Sequence, residues 1–124
     1  MDVNQLLKTY YEGFARKAGW EETISEDFRF IGGDMTHTDP VTGRQAYQEV
    51  INRFSRLFTS MKVVETFVNG NTAFVLANYD FVFPGGLKIN GNVAEHWIVK
   101  NGKLDQLTIY FDTLTFQKLT QPQQ

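Results

Sequence analysis

Three parts of this sequence carry side chains able to move protons. The first is Val93 to Asp112, VAEHWIVKNGKLDQLTIYFD, in which Glu95 and His96 stand side by side among β-branched and aromatic residues. Asn101-Gly102 is a turn pair, so the runs Val93 to Val99 and Leu104 to Phe111 fold back on each other as a hairpin. Side chains alternate along a strand, so either Glu95 and Trp97 or His96 shares a face with Leu107, Ile109 and Phe111. A two-residue turn on Asn101-Gly102 and a three-residue turn with Gly102 in a bulge differ by one residue of pairing and give opposite answers. In both registers one ionisable group lies on an apolar face. A carboxyl there loses hydration, its pKa rises, and it can hold a proton near neutral pH. An imidazole there could act as a base, although a lone histidine within a sheet is more often structural.

The second part is the loop Asp34 to Thr42, DMTHTDPVT, with two aspartates, His37 and a proline after Gly32-Gly33. Polar loops held by rigid neighbours often carry site residues, and solvated turn chemistry explains such a loop equally well. The third is Tyr10, on a stripe with Val3, Leu6, Leu7, Tyr11, Phe14 and Ala18. That spacing buries a phenol, which either donates a hydrogen bond or packs.

The elements that must position these groups follow from periodicity. Asp2 and Gln5 form a capping box at the start of a helix over residues 3–18, and Gly19 ends it. Trp20 to Ser25 read as a short second helix, and Phe28 to Ile31 as a brief strand. Thr42 and Gln45 suggest another capping box, opening a helix over residues 44–58 with Tyr47, Val50, Ile51, Phe54, Leu57 and Phe58 at spacings of three and four. From Ser60 the pattern turns to β. Val63 to Val68 is a strand, Asn69-Gly70 a turn, and Thr72 to Phe83 a return strand whose Ala73, Val75, Ala77, Tyr79 and Phe81 share a face. After Pro84-Gly85-Gly86, Leu87 to Val99 is either two short strands with a hairpin at Asn90-Gly91 or, as the need of long strands to curve favours, one long strand with a bulge there. Asp112 suits the N-cap of a short closing helical segment, and residues 120–124 read as a disordered polar tail. Helices followed by a strongly bent antiparallel sheet make an α+β domain shaped as a cone.

The 124 residues are one domain's worth, here 1–119. Twelve Lys and Arg against fourteen Asp and Glu, with no basic cluster, argue against a nucleic-acid partner. The chain has no cysteine, hence no disulfide and no thiol nucleophile. No stretch approaches the ~18 apolar residues of a membrane span and no leader pattern precedes the first helix, so a cytoplasmic protein without a membrane partner is expected. The histidines and carboxylates show no ligand spacing, so no metal site is expected. Eleven Phe, five Tyr and two Trp either line a cavity or fill a core.

The order of elements, together with Tyr10-Tyr11-Glu12-Gly13-Phe14, Gly43 nine residues after Asp34, Glu95-His96-Trp97, Asn101-Gly102-Lys103-Leu104 and Tyr110-Phe111-Asp112, resembles the NTF2-like superfamily, especially its SnoaL-like and ketosteroid-isomerase-like branches. The resemblance implies a cone-shaped fold, a homodimer through the outer sheet face and a small, mostly apolar ligand. It also implies a cofactor-independent isomerase or lyase-type reaction beside a carbonyl. Tyr10 matches the first-helix tyrosine that donates to the substrate carbonyl, Asp34 the proton-abstracting carboxylate, and Glu95 the second donor, where the branch has Asp. The cyclase branch has an acidic residue in the last strand, where this chain has Ile109. Phe14, His37, Phe54, Phe58, Tyr79, His96, Trp97, Ile109 and Phe111 are the expected ligand contacts. A non-catalytic binding module of the same shape, or a dimerisation domain with a filled cone, are the competing readings.

Overall fold

Asp2 Oδ1 accepts from the Gln5 amide at 2.8 Å while the Gln5 side chain accepts from the Asp2 amide at 3.0 Å, and this closed capping box starts helix α1, Val3–Arg16. In the computed structural model, which describes residues 2–32, 35 and 39–120, α1 buries Leu6, Leu7, Tyr10, Tyr11 and Phe14 against a sheet. Asp34 and His37 lie outside the described residues, as does the polar tail after Thr120.

A single 3-10 turn, Glu21–Thr23, stands where a short helix was expected, and strand β1, Ile24–Ile31, begins directly after it. β2, Val41–Thr42, pairs with β1 and leads into α2, Arg44–Phe54. The N-cap of α2 is Gly43, at φ 107°, with no side-chain cap, so the capping box expected at Thr42 and Gln45 does not form. The backbone bond from Gly43 N to Phe28 O, 2.7 Å, ties the helix start to β1 instead. After a 3-10 turn at Ser55–Leu57 the chain runs as β3, Phe58–Asn69, β4, Thr72–Phe83, β5, Leu87–Lys100, and β6, Lys103–Tyr110, and ends in α3, Thr113–Thr120. Asp112 Oδ1 accepts from the Thr115 amide at 3.0 Å and caps α3.

The sheet order is β2-β1-β6-β5-β4-β3. β3 through β6 are antiparallel neighbours, and β1 lies parallel to β6, so the sheet is mixed at that edge. Its curvature comes from register breaks at Phe58/Ser60 and Val63/Glu65 in β3 and at Ile98/Val99 opposite Leu104/Gln106. The bulge expected at Asn90-Gly91 is absent: Asn90 pairs with Asp80 and Gly91 with Tyr79 in unbroken register. Gly91 serves close packing instead, since a Cβ there would stand 3.4 Å from the Phe81 ring. Odd-numbered residues of β4 face the helices, and Ala73, Val75, Ala77, Tyr79, Phe81 and Phe83 are all buried.

Candidate functional site

The hairpin settles which ionisable residue faces the helices. Asn101 and Gly102 both have positive φ, 52° and 74°, and Lys100 pairs with Lys103, so the turn has two residues. Continued without interruption, that register would set His96 opposite Leu107. The chain instead leaves Asp105 unpaired: Val99 faces Leu104 and Ile98 faces Gln106. The extra residue moves the frame by one, so Trp97 pairs with Leu107 and Glu95 with Ile109. Asp105 is held at this position by Ser25 Oγ, which donates to Asp105 Oδ1 at 2.8 Å. A two-residue turn combined with a bulge inside the strand puts Leu107 and Ile109 on the same face as Trp97 and Glu95.

Glu95 is 6% exposed and is the one buried carboxyl among the described residues. Tyr11 of α1 donates to its Oε1 at 2.6 Å, and Tyr79 of β4 donates to its Oε2 at 3.1 Å. Tyr11 is fixed in turn by Trp97, whose Nε1 donates to the phenol oxygen at 2.9 Å. Burial pushes the Glu95 pKa up to about 7 against the opposing pull of the two phenol donors. Burial also lifts the phenols of Tyr10, Tyr11 and Tyr79 well above their ordinary range, so they remain neutral donors.

The Tyr10 hydroxyl lies 2.6 Å from that of Tyr47 on α2 rather than on Glu95. Sequence patterning singled out Tyr10; Tyr11, one residue on, holds the carboxyl. Both lie on the buried stripe of α1, so helical spacing could not separate them. Tyr10, Tyr47, Tyr79 and Glu95 nevertheless all line one small cavity of about 50 Å³, closed by Phe14, Phe54, Leu107 and Ile109 among others. Tyr11 and Trp97 do not line it and stand behind the carboxyl.

Beyond this cavity, at the end of the cone covered by α3, is an apolar groove of about 260 Å³. Phe30, Val50, Phe54 and Ile109 are shared between groove and cavity and form the partition between them. Phe111 and Phe116 complete the aromatic walls, and Gly32 lies at its edge.

Of the other expected contacts, Phe14 and Phe58 stack at 5.4 Å and border a separate hollow of about 270 Å³ beside Lys17 and Trp20. Trp97 is fully buried; its indole N–H donates to Tyr11 and its ring packs edge-to-face on Tyr10, with centroids 4.7 Å apart. His96 points to the opposite face, where its ring stacks on Phe74 at 4.5 Å. Among the described residues no group of three His, Cys, Asp or Glu side chains is placed to share a metal ion. No helix among them is long and apolar enough to cross a membrane.

No family model and no curated protein sequence matches the chain. Solved structures do. An NTF2-like protein of unknown function from Burkholderia pseudomallei superposes with a TM-score of 0.82 at 20% identity, covering 98% of this chain and 100% of that one. A protein from Jannaschia sp. provisionally named a SnoaL-like polyketide cyclase gives 0.79 at 19% identity, over 98% and 92% of the two chains. TerC, crystallised with polyporic acid, gives 0.79 at 16% identity over 94% and 95%. At these identities the likeness speaks for architecture, and it agrees with the element order and the bent sheet described above: the chain has the NTF2-like fold.

Proposed function

We propose that this chain is a small-molecule-binding protein of the SnoaL-like and ketosteroid-isomerase-like kind that carries out cofactor-independent proton transfer beside a carbonyl. The observation that supports this best is Glu95: a carboxyl set in an apolar cavity wall, gripped by two phenols and ionising near pH 7. Such a group is present as both acid and base at neutral pH, the condition under which proton transfer is efficient. In this reading Tyr10 and the protonated form of Glu95 donate to the oxygen of a developing enolate. Asp34, two residues beyond the groove-lining Gly32, takes the proton from carbon. The phenol of Tyr79, which also lines the cavity, gives its proton to Glu95 and holds that carboxyl in place. That TerC was crystallised with polyporic acid, on the same fold, supports a small-molecule ligand.

The test is hydrogen–deuterium exchange at carbon next to the carbonyl of cyclic ketones, followed by NMR. The wild type should accelerate exchange, and Glu95→Gln should lose about 10²-fold or more of it. A wild type that binds ketones without exchanging them would leave the chain as a non-catalytic binding module. The volume of the inner cavity, about 50 Å³, favours that second reading, because a ligand must part Phe54 from Ile109 to reach Glu95.

The outer sheet face supports a homodimer. Phe67, Phe74 and His96 form one cross-strand row, with Phe67 62% and Phe74 49% exposed. Sedimentation should give a dimer that Phe74→Asp converts to monomer.

A further inference from the structure

The groove under α3 has a property that the proton-transfer reading does not use. Its walls are carbon: Phe30, Val50, Phe54, Ile109, Phe111 and Phe116, each half-buried. Among its described lining residues one side chain is charged, Arg53, which is exposed at the rim in the last turn of α2. The last turn of a helix favours a cation whatever lies beside it, because the terminal carbonyls leave a partial negative charge there. That role needs no groove. Arg53, however, follows Val50 by three residues and lines the groove beside it. No carboxylate among the described lining residues opposes it. Aspartate 112 borders a different hollow, of about 160 Å³, on the other side of Phe116.

An apolar slot with a single guanidinium at its lip selects a molecule with the inverse pattern. The volume limits the body. At about 260 Å³ the groove lies just below the ~300–1,000 Å³ typical of small-molecule sites, which suits two fused or linked rings and is tight for a four-ring skeleton. Flat rings also match walls built from four phenylalanines, which offer both faces and edges for stacking.

We propose that the groove binds a lipophilic aromatic or alicyclic anion, its ring body between Phe30, Phe54, Phe111 and Phe116 and its carboxylate or sulfonate on Arg53. This rests on the small-molecule reading above and specifies the ligand: an acid of about naphthalene size, docked with its charged end outward and its apolar end against the partition in front of Glu95.

Two fluorescent probes separate charge from body. 1-Anilinonaphthalene-8-sulfonate and the uncharged N-phenyl-1-naphthylamine share the same rings and differ by the sulfonate. Titrated into the full folded chain, the sulfonate should bind more tightly. Arg53→Gln should weaken it about fivefold while changing the neutral probe less than about twofold, and raised salt should act on the wild type in the same direction. Amide shifts induced by the sulfonate should centre on Phe30, Phe111 and Phe116. Val50→Trp, which fills the slot, should abolish both. Sulfonate binding unaffected by Arg53→Gln, shifts centred elsewhere, or no binding of either probe to the wild type would each overturn the assignment. None of these readouts depends on proton exchange, so the groove can fail while Glu95 chemistry stands, and the reverse.

Discussion

Ser25 and Asp105 meet through a 2.8 Å hydrogen bond at the point where β6 carries one residue more than β5. That extra residue, taken up as a bulge, puts Leu107 and Ile109 of β6 on the same face as Trp97 and Glu95 of β5. The bond positions the bulge without being its cause. Asp105→Ala keeps the residue count and therefore the register, and should cost about 1 kcal/mol for the lost hydrogen bond. Deleting Asp105 removes the bulge but leaves Leu104 opposite Val99, Gln106 opposite Ile98, Leu107 opposite Trp97 and Ile109 opposite Glu95, so the inner face is kept and the local bend and the Ser25 bond are lost. Both variants should therefore retain cooperative unfolding in urea. Loss of cooperativity in the deletion alone would mean that the bend made by the bulge is needed to close the sheet over the helices.

At this hairpin the turn is legible in Asn101-Gly102 and the apolar face in Leu107 and Ile109. The bulge is not, because Asp105 in a β run looks like any solvent-facing position, and the residue that anchors it, Ser25, lies far away in sequence. The pairing of β1 with β6 is invisible for the same reason: a parallel neighbour has no connecting turn to announce it. Tyr79 was legible as an inward residue of β4, but its hydroxyl partner depends on how far the sheet bends. Tyr10 and Tyr11 share a helix stripe, and only the height of Glu95 along the sheet decides which one reaches it. Bulk pattern fixed the layers; hydrogen-bond partners needed three dimensions.

Glu95 makes stability depend on pH in an unusual direction. Its pKa is about 7 in the folded chain against 4.5 for the free side chain, so between those values the folded state holds more protons than the unfolded one. Stability from this group is fully present below 4.5 and is lost as pH rises through 7. Linkage gives a total change on the order of 3 kcal/mol. Asp80 and Asp112, whose pKa values are lowered by hydrogen bonds from Ser60 and from the Thr115 amide, act in the opposite sense in more acidic solution. Comparing wild type with Glu95→Gln removes their contribution. The difference in urea unfolding free energy between the two should move by about 3 kcal/mol in favour of the variant from about pH 4 to about pH 9. A difference that stays constant would place Glu95 in contact with water.

Tyr11 and Tyr79 should prove unequal supports of that carboxyl. Tyr11 is the shorter donor, 2.6 Å against 3.1 Å, and also accepts from Trp97. Tyr11→Phe therefore leaves the buried Trp97 N–H without an acceptor and Glu95 without its closer donor, and should cost about 2 kcal/mol or more. Tyr79→Phe removes one longer bond and should cost about 1 kcal/mol. Both bonds stabilise the charged carboxylate, so both variants should raise the Glu95 pKa further, Tyr11→Phe by more. Carbon-13 titration of the Glu95 carboxyl reads this directly. A larger rise in Tyr79→Phe would reverse the assignment of Tyr11 as the principal support.

Phe116 offers a test of how the mouth of the cone is closed. It is the residue of α3 that enters the aromatic cluster, with ring centroids 5.2 Å from Phe111, 5.8 Å from Phe83 and 6.2 Å from Phe54. It also borders both the 260 Å³ groove and the 160 Å³ hollow, so its ring divides them. α3 buries none of its residues fully and is short, so its hold on the domain depends on this ring, on the partly buried Leu119 and on the Asp112 cap. Phe116→Ala should join the two spaces and detach the helix, at a cost to global stability of about 1–2 kcal/mol because the ring is only half-buried. Asp112→Ala should loosen α3 while leaving the ring in place. Amide exchange then separates the two: Phe116→Ala should lift protection through Thr113–Thr120 without touching β4 and β5, whereas loss of protection at Tyr79 and Glu95 as well would show that Phe116 belongs to the same cooperative core as the site.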